Sequence, residues 1–191
     1  LSKLFTEVAI LRMVDAQLIE LDAKVIDYRP GFKATNAGQI TIRQLLEMRS
    51  GLDRELNAEH QFQALSLDSN GLLGPYLDSL ESLPMRAEPG AKEEYSNLTY
   101  WLLGAVLEAV GQANLDQVLE QWIFEGLEMH SSGWREGISS ITKGYLFKRE
   151  QWSQDPQDYS CRYASGGLYS SVADLAKLAK ALHGDQFLSA E

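Results

Sequence analysis

One apolar stretch, which starts after a Pro-Gly turn at residues 89–90, constrains the fold of this chain more than any other feature. It ends at Gly111, a residue type that commonly terminates helices. Apolar side chains recur in it at the spacing of one helix face, at Leu98, Leu102, Ala105, Val106 and Ala109. The pattern predicts a buried helix over residues 97–110, entered from a polar loop that carries Tyr95 and Asn97. Side chains at such a junction are held by a rigid element and remain accessible to a ligand.

Most other periodic segments also predict helices. Apolar spacing predicts them near residues 2–21, 41–49, 115–124 and 172–182, with a shorter one at residues 76–83. We expect N-terminal caps at Thr41, Asn114 and Ser171, because each is followed three residues later by Gln or Asp, as in a capping box.

The segments between these helices lack a helical period. Residues 22–40 are predicted to be an irregular connector, and residues 53–74 a variable loop with a helical turn. Residues 131–163 are predicted to be extended or loop structure, in which five aromatic side chains either line a pocket or, as we favour, pack under the loop: Trp134, Tyr145, Phe147, Trp152 and Tyr159. No strand alternation is long enough to build a large sheet. We therefore predict a mainly α chain without a sheet of four or more strands.

Charge and cysteine content exclude several kinds of partner. The 191 residues carry a formal net charge of −10, which argues against nucleic acid or an anionic membrane surface as a ligand. The single cysteine, Cys161, excludes an internal disulfide, and no Cys/His cluster has metal-ligand spacing. No apolar run reaches the ~18 residues of a membrane span, and no signal peptide is visible. We expect no metal and no other cofactor.

Six sequence blocks occur in an order that resembles a known superfamily. The tripeptide Tyr95-Ser96-Asn97 has the form of a Tyr-x-Asn motif. The other blocks are Lys3-Leu4-Phe5-Thr6, Leu21–Tyr28, Ile40–Leu46 running into Ser50-Gly51-Leu52, Gly126–Met129 and Ala164–Ser171. Together they resemble the serine β-lactamase and penicillin-binding-protein superfamily, in particular its branch of class C β-lactamases, D-Ala-D-Ala carboxypeptidases and esterases. The resemblance spans nearly the whole chain.

The resemblance implies that residues 1–191 belong to one domain, the helical lobe of an α/β β-lactamase/transpeptidase-like fold. The central antiparallel sheet of that fold is expected to be largely missing from the chain. The domain is accordingly expected to be incomplete, without the N-terminal strands that carry the nucleophile and the C-terminal strands that carry the third motif. That motif, Lys-Thr-Gly or His-Thr-Gly, is not found, because His183-Gly184 lacks the middle residue. The chain by itself is expected to be inactive.

The resemblance also implies a catalytic set. Lys3 matches the lysine of a Ser-x-x-Lys motif, so the nucleophilic serine is expected directly before Leu1. Ser2 cannot take its place, because an adjacent residue points ~100° away around a helix. Lys3 would act as base or proton relay, Tyr95 would protonate the leaving group, and Asn97 would position Lys3 and the acyl side of the substrate. Which of Lys3 and Tyr95 accepts the serine proton stays open.

Each of these residues also has a structural interpretation. Asn97 or Ser96 could be an N-cap, Tyr95 a packed ring, and Lys3 a surface lysine. Two functions follow. One is a serine hydrolase that forms an acyl-enzyme on an ester, amide or β-lactam bond of a small molecule or peptide. The other is a non-catalytic relative that serves as a helical interaction module. The trio favours the hydrolase, because a binding module has no need of it. The substrate and the oligomeric state stay open, and a periplasmic or secreted location is the default of the superfamily.

Overall fold

The computed structural model describes residues 1–54, 72–78, 80–134, 142–148, 150–154, 163–184 and 187–189. Eight α-helices, one π-helical turn and two strands are found in this part of the chain. In order they are α1 (Ser2–Asp15), α2 (Val25–Tyr28), α3 (Thr35–Gly38), α4 (Ile42–Leu46), α5 (Gly74–Asp78), α6 (Asn97–Gly111), α7 (Leu115–Leu119), the π-helical turn (Glu120–Phe124), β1 (Tyr145–Lys148), β2 (Gln151–Gln154) and α8 (Val172–Leu182). The prediction of a mainly α chain is confirmed.

Helix α6 is the centre of the core, as its apolar sequence predicts. Every residue from Leu98 to Glu108 is buried, and the helix contacts α1, α2, α4, α5 and α7. A helix that is apolar on nearly all sides is stable only when neighbours cover all of its faces. The α6 sequence therefore requires the surrounding shell of helices that the structure shows.

The first helix ends earlier than its apolar pattern suggests. We predicted helix to residue 21, but α1 stops at Asp15, so this prediction is wrong for the last six residues. Gln17 adopts a positive φ of 59°, and the N–H groups of Leu18 and Ile19 both bond to the carbonyl of Met13. This left-handed turn satisfies carbonyls at the helix end. Ile19 is thereby buried, while Leu18 is left half exposed.

The predicted caps are found, with one difference. Thr41 and Asn114 each form a complete capping box with the glutamine three residues later. Ser171 caps α8 by accepting the N–H of Asp174, but the Asp174 carboxylate does not return to Ser171. It is buried and accepts instead the N–H of Ser131 and the hydroxyl of a neighbouring serine. Asp174 thus ties α8 to the loop before the hairpin rather than completing its own cap.

Three other segment predictions need correction. The connector at residues 22–40 contains the short helices α2 and α3. The helix predicted at residues 76–83 is found at Gly74–Asp78. The helix predicted at residues 115–124 is α-helical only to Leu119 and then widens into the π-helical turn. Most of the predicted loop at residues 53–74 lies outside the described residues.

Strands β1 and β2 form an antiparallel hairpin, as expected for an extended segment. Phe147 pairs directly with Trp152, and their ring centroids lie 5.0 Å apart. Both rings and that of Tyr145 are exposed. Trp134, by contrast, is buried against Tyr163. The predicted aromatic set is therefore divided between surface and core, while Tyr159 lies outside the described residues.

A buried carboxylate joins α6 to the start of α5. Glu108 accepts the backbone N–H groups of Leu73 and Gly74 at 2.9–3.1 Å. Burial raises the pKa of Glu108 to about 7, although these donors and Arg29 act to lower it.

No helix in the described part of the chain is both long and apolar enough to cross a membrane.

Candidate active site

Lys3 projects from the first turn of α1, and two acceptors hold its ammonium group. Nζ donates hydrogen bonds to Asn97 Oδ1 at 2.8 Å and to the carbonyl oxygen of Ser165 at 2.7 Å. The neighbouring Ser2 is buried, and its hydroxyl accepts the N–H of Leu168. Ser2 is therefore engaged away from Lys3, in agreement with the helix geometry expected from the sequence.

Tyr95 and Asn97 lie on either side of the residue that caps α6. Ser96 Oγ accepts the N–H of Thr99 and donates to the carbonyl oxygen of Asp53 at 2.7 Å. Of the two capping alternatives, the structure selects Ser96, and the Asn97 side chain contacts Lys3 and Tyr95 instead. The Tyr95 hydroxyl donates to Asn97 Oδ1 at 3.1 Å, and 51% of Tyr95 is exposed.

Asn97 Oδ1 is the common acceptor that joins the three residues. It receives one hydrogen bond from Lys3 and one from Tyr95, and Lys3 Nζ lies 5.0 Å from the centroid of the Tyr95 ring. Lys3 and Asn97 are 94 residues apart in sequence. The structure thus brings together all three residues that the sequence singled out, at a partly exposed position.

A second tyrosine lies under the Lys3 ammonium group. Lys3 Nζ is 5.0 Å from the centroid of the Tyr100 ring, so the cation contacts two aromatic faces. The buried Tyr100 hydroxyl donates to the carboxylate of Glu7. Burial and this hydrogen bond raise the pKa of Tyr100 far above its ordinary value. Tyr100 therefore stays neutral and serves as a fixed support.

The backbone segment Tyr163–Leu168 closes the other side of the site. Several side chains anchor it: Thr6 donates to the carbonyl of Ala164, Trp101 to the hydroxyl of Ser165, and Trp134 to the carbonyl of Gly166. Ala164 adopts a φ of 63°, in the left-handed region. These contacts hold the Ser165 carbonyl oxygen where Lys3 reaches it.

Arg54 stands at the exposed edge of the site. Its guanidinium carbon lies 5.5 Å from the centroid of the Tyr95 ring. In the described part of the chain, no group of histidine, cysteine, aspartate and glutamate side chains is arranged to hold a metal ion. The candidate site therefore consists of a lysine, a tyrosine and an asparagine, with an arginine beside the tyrosine.

The whole chain, residues 1–191, matches the protein family described as Beta-lactamase. This chain belongs to the Beta-lactamase family. The resemblance inferred from the six sequence blocks is confirmed.

Curated relatives of this Beta-lactamase-family chain are longer than the chain itself. It is 28% identical over 195 residues to the probable fimbrial assembly protein FimD, serogroup H1, of Dichelobacter nodosus. This alignment covers 95% of the chain and 47% of that protein. It is 28% identical over 138 residues to Protein flp of Staphylococcus aureus strain MW2, covering 71% of the chain and 27% of that protein. The chain thus spans about half the length of the first of these relatives and less of the second.

Solved structures confirm the fold. An octameric penicillin-binding protein homologue from Pyrococcus abyssi superposes with a TM-score of 0.77 at 27% identity, over 98% of this chain and 45% of that one. A penicillin-binding protein from Bacillus halodurans gives a TM-score of 0.76 at 25% identity, over 98% and 60%. EstCE1, described as a hydrolase with promiscuous acyltransferase activity, gives 0.78 at 24% identity, over 98% and 59%, and supports the fold alone.

Sequence patterns missed two parts of this Beta-lactamase-family site. Tyr100 lies three residues after Asn97, and Glu7 four residues after Lys3, so helical spacing alone would have placed each beside a motif residue. Ser165 belongs to a block that the sequence analysis noted, but no pattern shows that its carbonyl faces Lys3. That contact joins residues 162 positions apart.

Proposed function

We propose that this chain is part of a serine hydrolase and that it supplies the catalytic lysine, tyrosine and asparagine of that enzyme. The enzyme would cleave an ester, amide or β-lactam bond through an acyl-enzyme. The observation that carries the proposal is the shared acceptor Asn97 Oδ1, bonded to Lys3 at 2.8 Å and to Tyr95 at 3.1 Å. Membership of the Beta-lactamase family supports it. So does the structural neighbour from Bacillus halodurans described as a penicillin-binding protein.

The nucleophile in this proposal is a serine directly before Leu1. Three positions before Lys3, it would lie one helical turn away on the same face. A lysine ammonium has three N–H donors, and Lys3 uses two of them on Asn97 and Ser165. To act as a base, Lys3 would have to be the neutral amine, in which the third position is a lone pair that can accept the proton of the serine hydroxyl. Lys3 would then act as the base or as the relay that removes the serine proton.

Tyr95 is assigned to the leaving group. Its hydroxyl is half exposed and is held against Asn97 Oδ1, so an incoming substrate can reach it. In the acylation step, the serine oxygen bonds to the acyl carbon, the bond to the leaving group breaks, and Tyr95 supplies the departing atom with a proton. General acid–base catalysis of this kind is typically worth about 10²–10⁴ in rate.

Residues 1–191 would be one part of a single domain. In the proposal, the backbone N–H of the nucleophile and an N–H from the strand of the third motif form the oxyanion hole. Losing a single oxyanion donor typically costs about 10²–10³ in kcat. We therefore expect this chain alone to be inactive, and the tests use the full-length protein.

The first test is covalent labelling of full-length protein with a fluorescent penicillin and with a fluorophosphonate. We expect at least one label on the serine before Leu1, located by peptide mass spectrometry. A panel of a chromogenic cephalosporin, p-nitrophenyl esters and a D-Ala-D-Ala peptide then shows which bond is cleaved. A residue other than serine at that position, together with no labelling, would favour the non-catalytic interaction module.

The second test separates the Tyr95 hydroxyl from the rest of the side chain. Tyr95→Phe should lower kcat on the best substrate by about 10²–10⁴, with little change in unfolding free energy, since only a proton-transferring hydroxyl is lost. Tyr145→Phe is the matched control, because Tyr145 is a similarly exposed tyrosine on the hairpin. Full activity of Tyr95→Phe would contradict the assigned role.

A further inference from the structure

The two aromatic rings that contact the Lys3 ammonium group differ in what lies beyond them. Lys3 Nζ is 5.0 Å from the centroid of each ring, that of Tyr95 and that of Tyr100. The half-exposed Tyr95 ring also contacts the guanidinium group of Arg54. Tyr100 is only 1% exposed, and its hydroxyl donates to the carboxylate of Glu7. A cation therefore lies beside one ring, and an anion is bonded to the other.

Glu7 reaches Lys3 across the Tyr100 ring. The two charged residues are four positions apart on α1, so they project from neighbouring turns of one helical face. They form no direct ion pair with each other in the described part of the chain. Tyr100 comes from α6, its ring face contacts the ammonium group, and its hydroxyl meets the carboxylate. The three side chains form one continuous contact between the two helices.

A hydrogen bond to an anion changes the ring that makes it. The carboxylate polarises the O–H bond of the phenol and pushes electron density into the ring. A more negative ring face attracts a cation more strongly. Burial and the hydrogen bond to Glu7 raise the pKa of Tyr100 far above its ordinary value, so the phenol keeps its proton and its bond to the carboxylate.

We propose that Glu7 is a positioning residue that acts through Tyr100 to stabilise the ammonium form of Lys3. The inference rests on the proposed serine hydrolase function, in which Lys3 removes or relays the serine proton. In acylation, the serine hydroxyl gives its proton to the Lys3 amine, the serine oxygen bonds to the acyl carbon, and the bond to the leaving group breaks. The charge that develops on Lys3 then meets a preorganised ring and carboxylate. Glu7 touches none of the reacting atoms.

Stabilising the ammonium form makes Lys3 a stronger base but leaves less free amine at low pH. Glu7→Gln keeps a side-chain acceptor and removes the charge. It should therefore move the acid limb of the pH profile of kcat/KM to lower pH by about 0.5–1 unit, the size of one cation–π contact. The plateau at high pH should fall by about 3-fold, because a weaker base removes the proton more slowly. The profiles of wild type and variant should cross.

Full-length protein and p-nitrophenyl acetate provide the measurement. The nitrophenolate departs without needing a proton from Tyr95, so kcat/KM for this ester reports the attack of the serine and the proton transfer to Lys3. A purely structural defect would lower kcat/KM at every pH and would not make the profiles cross. Glu47→Gln is the matched control, because Glu47 is an exposed glutamate at the end of α4. It removes the same charge and should leave the profile unchanged.

A double-mutant cycle tests the route through Tyr100. Tyr100→Phe keeps the ring beside Lys3 and removes the hydroxyl that bonds Glu7, so it should shift the acid limb in the same direction as Glu7→Gln. Adding Glu7→Gln to Tyr100→Phe should then cause no further shift. Two shifts that simply add would show that the carboxylate acts on Lys3 without the phenol, which would overturn the proposal.

Failure of this inference can be distinguished from failure of the proposed function. If the serine before Leu1 is labelled but the acid limb of Glu7→Gln stays in place, or if the loss is equal at every pH, Glu7 has no such role and the hydrolase proposal stands. If the wild type neither cleaves the ester nor becomes labelled, the proposed function fails and this inference fails with it. Should Tyr100→Phe not fold, the Glu7→Gln profile decides alone.

Discussion

Replacing Gly104 by alanine tests whether the packing of α6 against the segment Tyr163–Leu168 positions Lys3. A Cβ at Gly104 would lie 2.7 Å from the Cβ of Ala164. Two carbon atoms pack best at about 3.5–4.0 Å, so the backbone at Ala164 has to move away from α6 by about 1 Å. The next carbonyl, that of Ser165, accepts the Lys3 hydrogen bond at 2.7 Å. The shift would stretch that bond and misplace the ammonium group.

The expected magnitude follows from two opposing contributions. Overpacking a core typically costs about 1–3 kcal/mol, while alanine in a helix interior is favoured over glycine by about 1 kcal/mol. We expect Gly104→Ala to lower the unfolding free energy by about 1 kcal/mol in urea titrations. Because a 1 Å misplacement can cost about 10²-fold in rate, kcat of the full-length protein should fall by about 10- to 100-fold.

A second substitution and a control test whether the contact between residues 104 and 164 causes both the loss of stability and the loss of activity. Ala164→Gly removes the clashing methyl group, and glycine adopts the φ of 63° at this position readily. The double variant should therefore recover stability and activity relative to Gly104→Ala. Gly126→Ala should change neither, because a Cβ there meets nothing within 4 Å. A fully stable and active Gly104→Ala protein, or no recovery in the double variant, would refute the reasoning.

Two other predictions concern α6. Ser96→Ala should lower the unfolding free energy by about 1 kcal/mol because it removes the N-cap, whereas Asn97→Ala should cost less stability while abolishing the Lys3 contact. Chemical denaturation and kcat measured on the same samples check this. The pKa of Glu108 is about 7 in the folded protein and near 4.5 in the unfolded chain, so the folded protein binds this proton more tightly. The unfolding free energy should therefore fall as pH rises from about 4.5 to about 7, by about 3 kcal/mol.

Comparison with one variant isolates the Glu108 effect from other titrating groups. In Glu108→Gln, this part of the pH dependence should be absent, so the difference in unfolding free energy between wild type and variant should vary with pH over that range. A difference that stays constant between pH 4.5 and 7 would show that Glu108 titrates at its ordinary pKa. Equal destabilisation by Ser96→Ala and Asn97→Ala would contradict the assignment of Ser96 as the cap.

Local sequence was sufficient where the deciding contacts lie within one helical turn and no distant segment competes for them, as Ser131 does for Asp174. The capping boxes at Thr41 and Asn114 depend on neighbours three residues away and were predicted correctly, and α6 ends at Gly111 as predicted. The end of α1 was not predicted correctly, because the apolar pattern continues to Leu21. The helix ends at Asp15, and the left-handed turn at Gln17 that follows places Ile19 in the core, a contact with distant residues that the local pattern does not show.

For the site, the sequence by itself determined which side chains are present, and the resemblance grouped Lys3, Tyr95 and Asn97, which hydrogen bonds join in the structure. Only the tertiary structure decided what holds them. The Ser165 carbonyl reaches Lys3 across 162 residues, and Arg54 reaches Tyr95 from a separate loop. Every residue type has a backbone carbonyl, so the sequence does not show which carbonyl will act as an acceptor. Contacts between distant segments also produce no periodic pattern in the sequence. Such groups become visible only when packing brings their segments together.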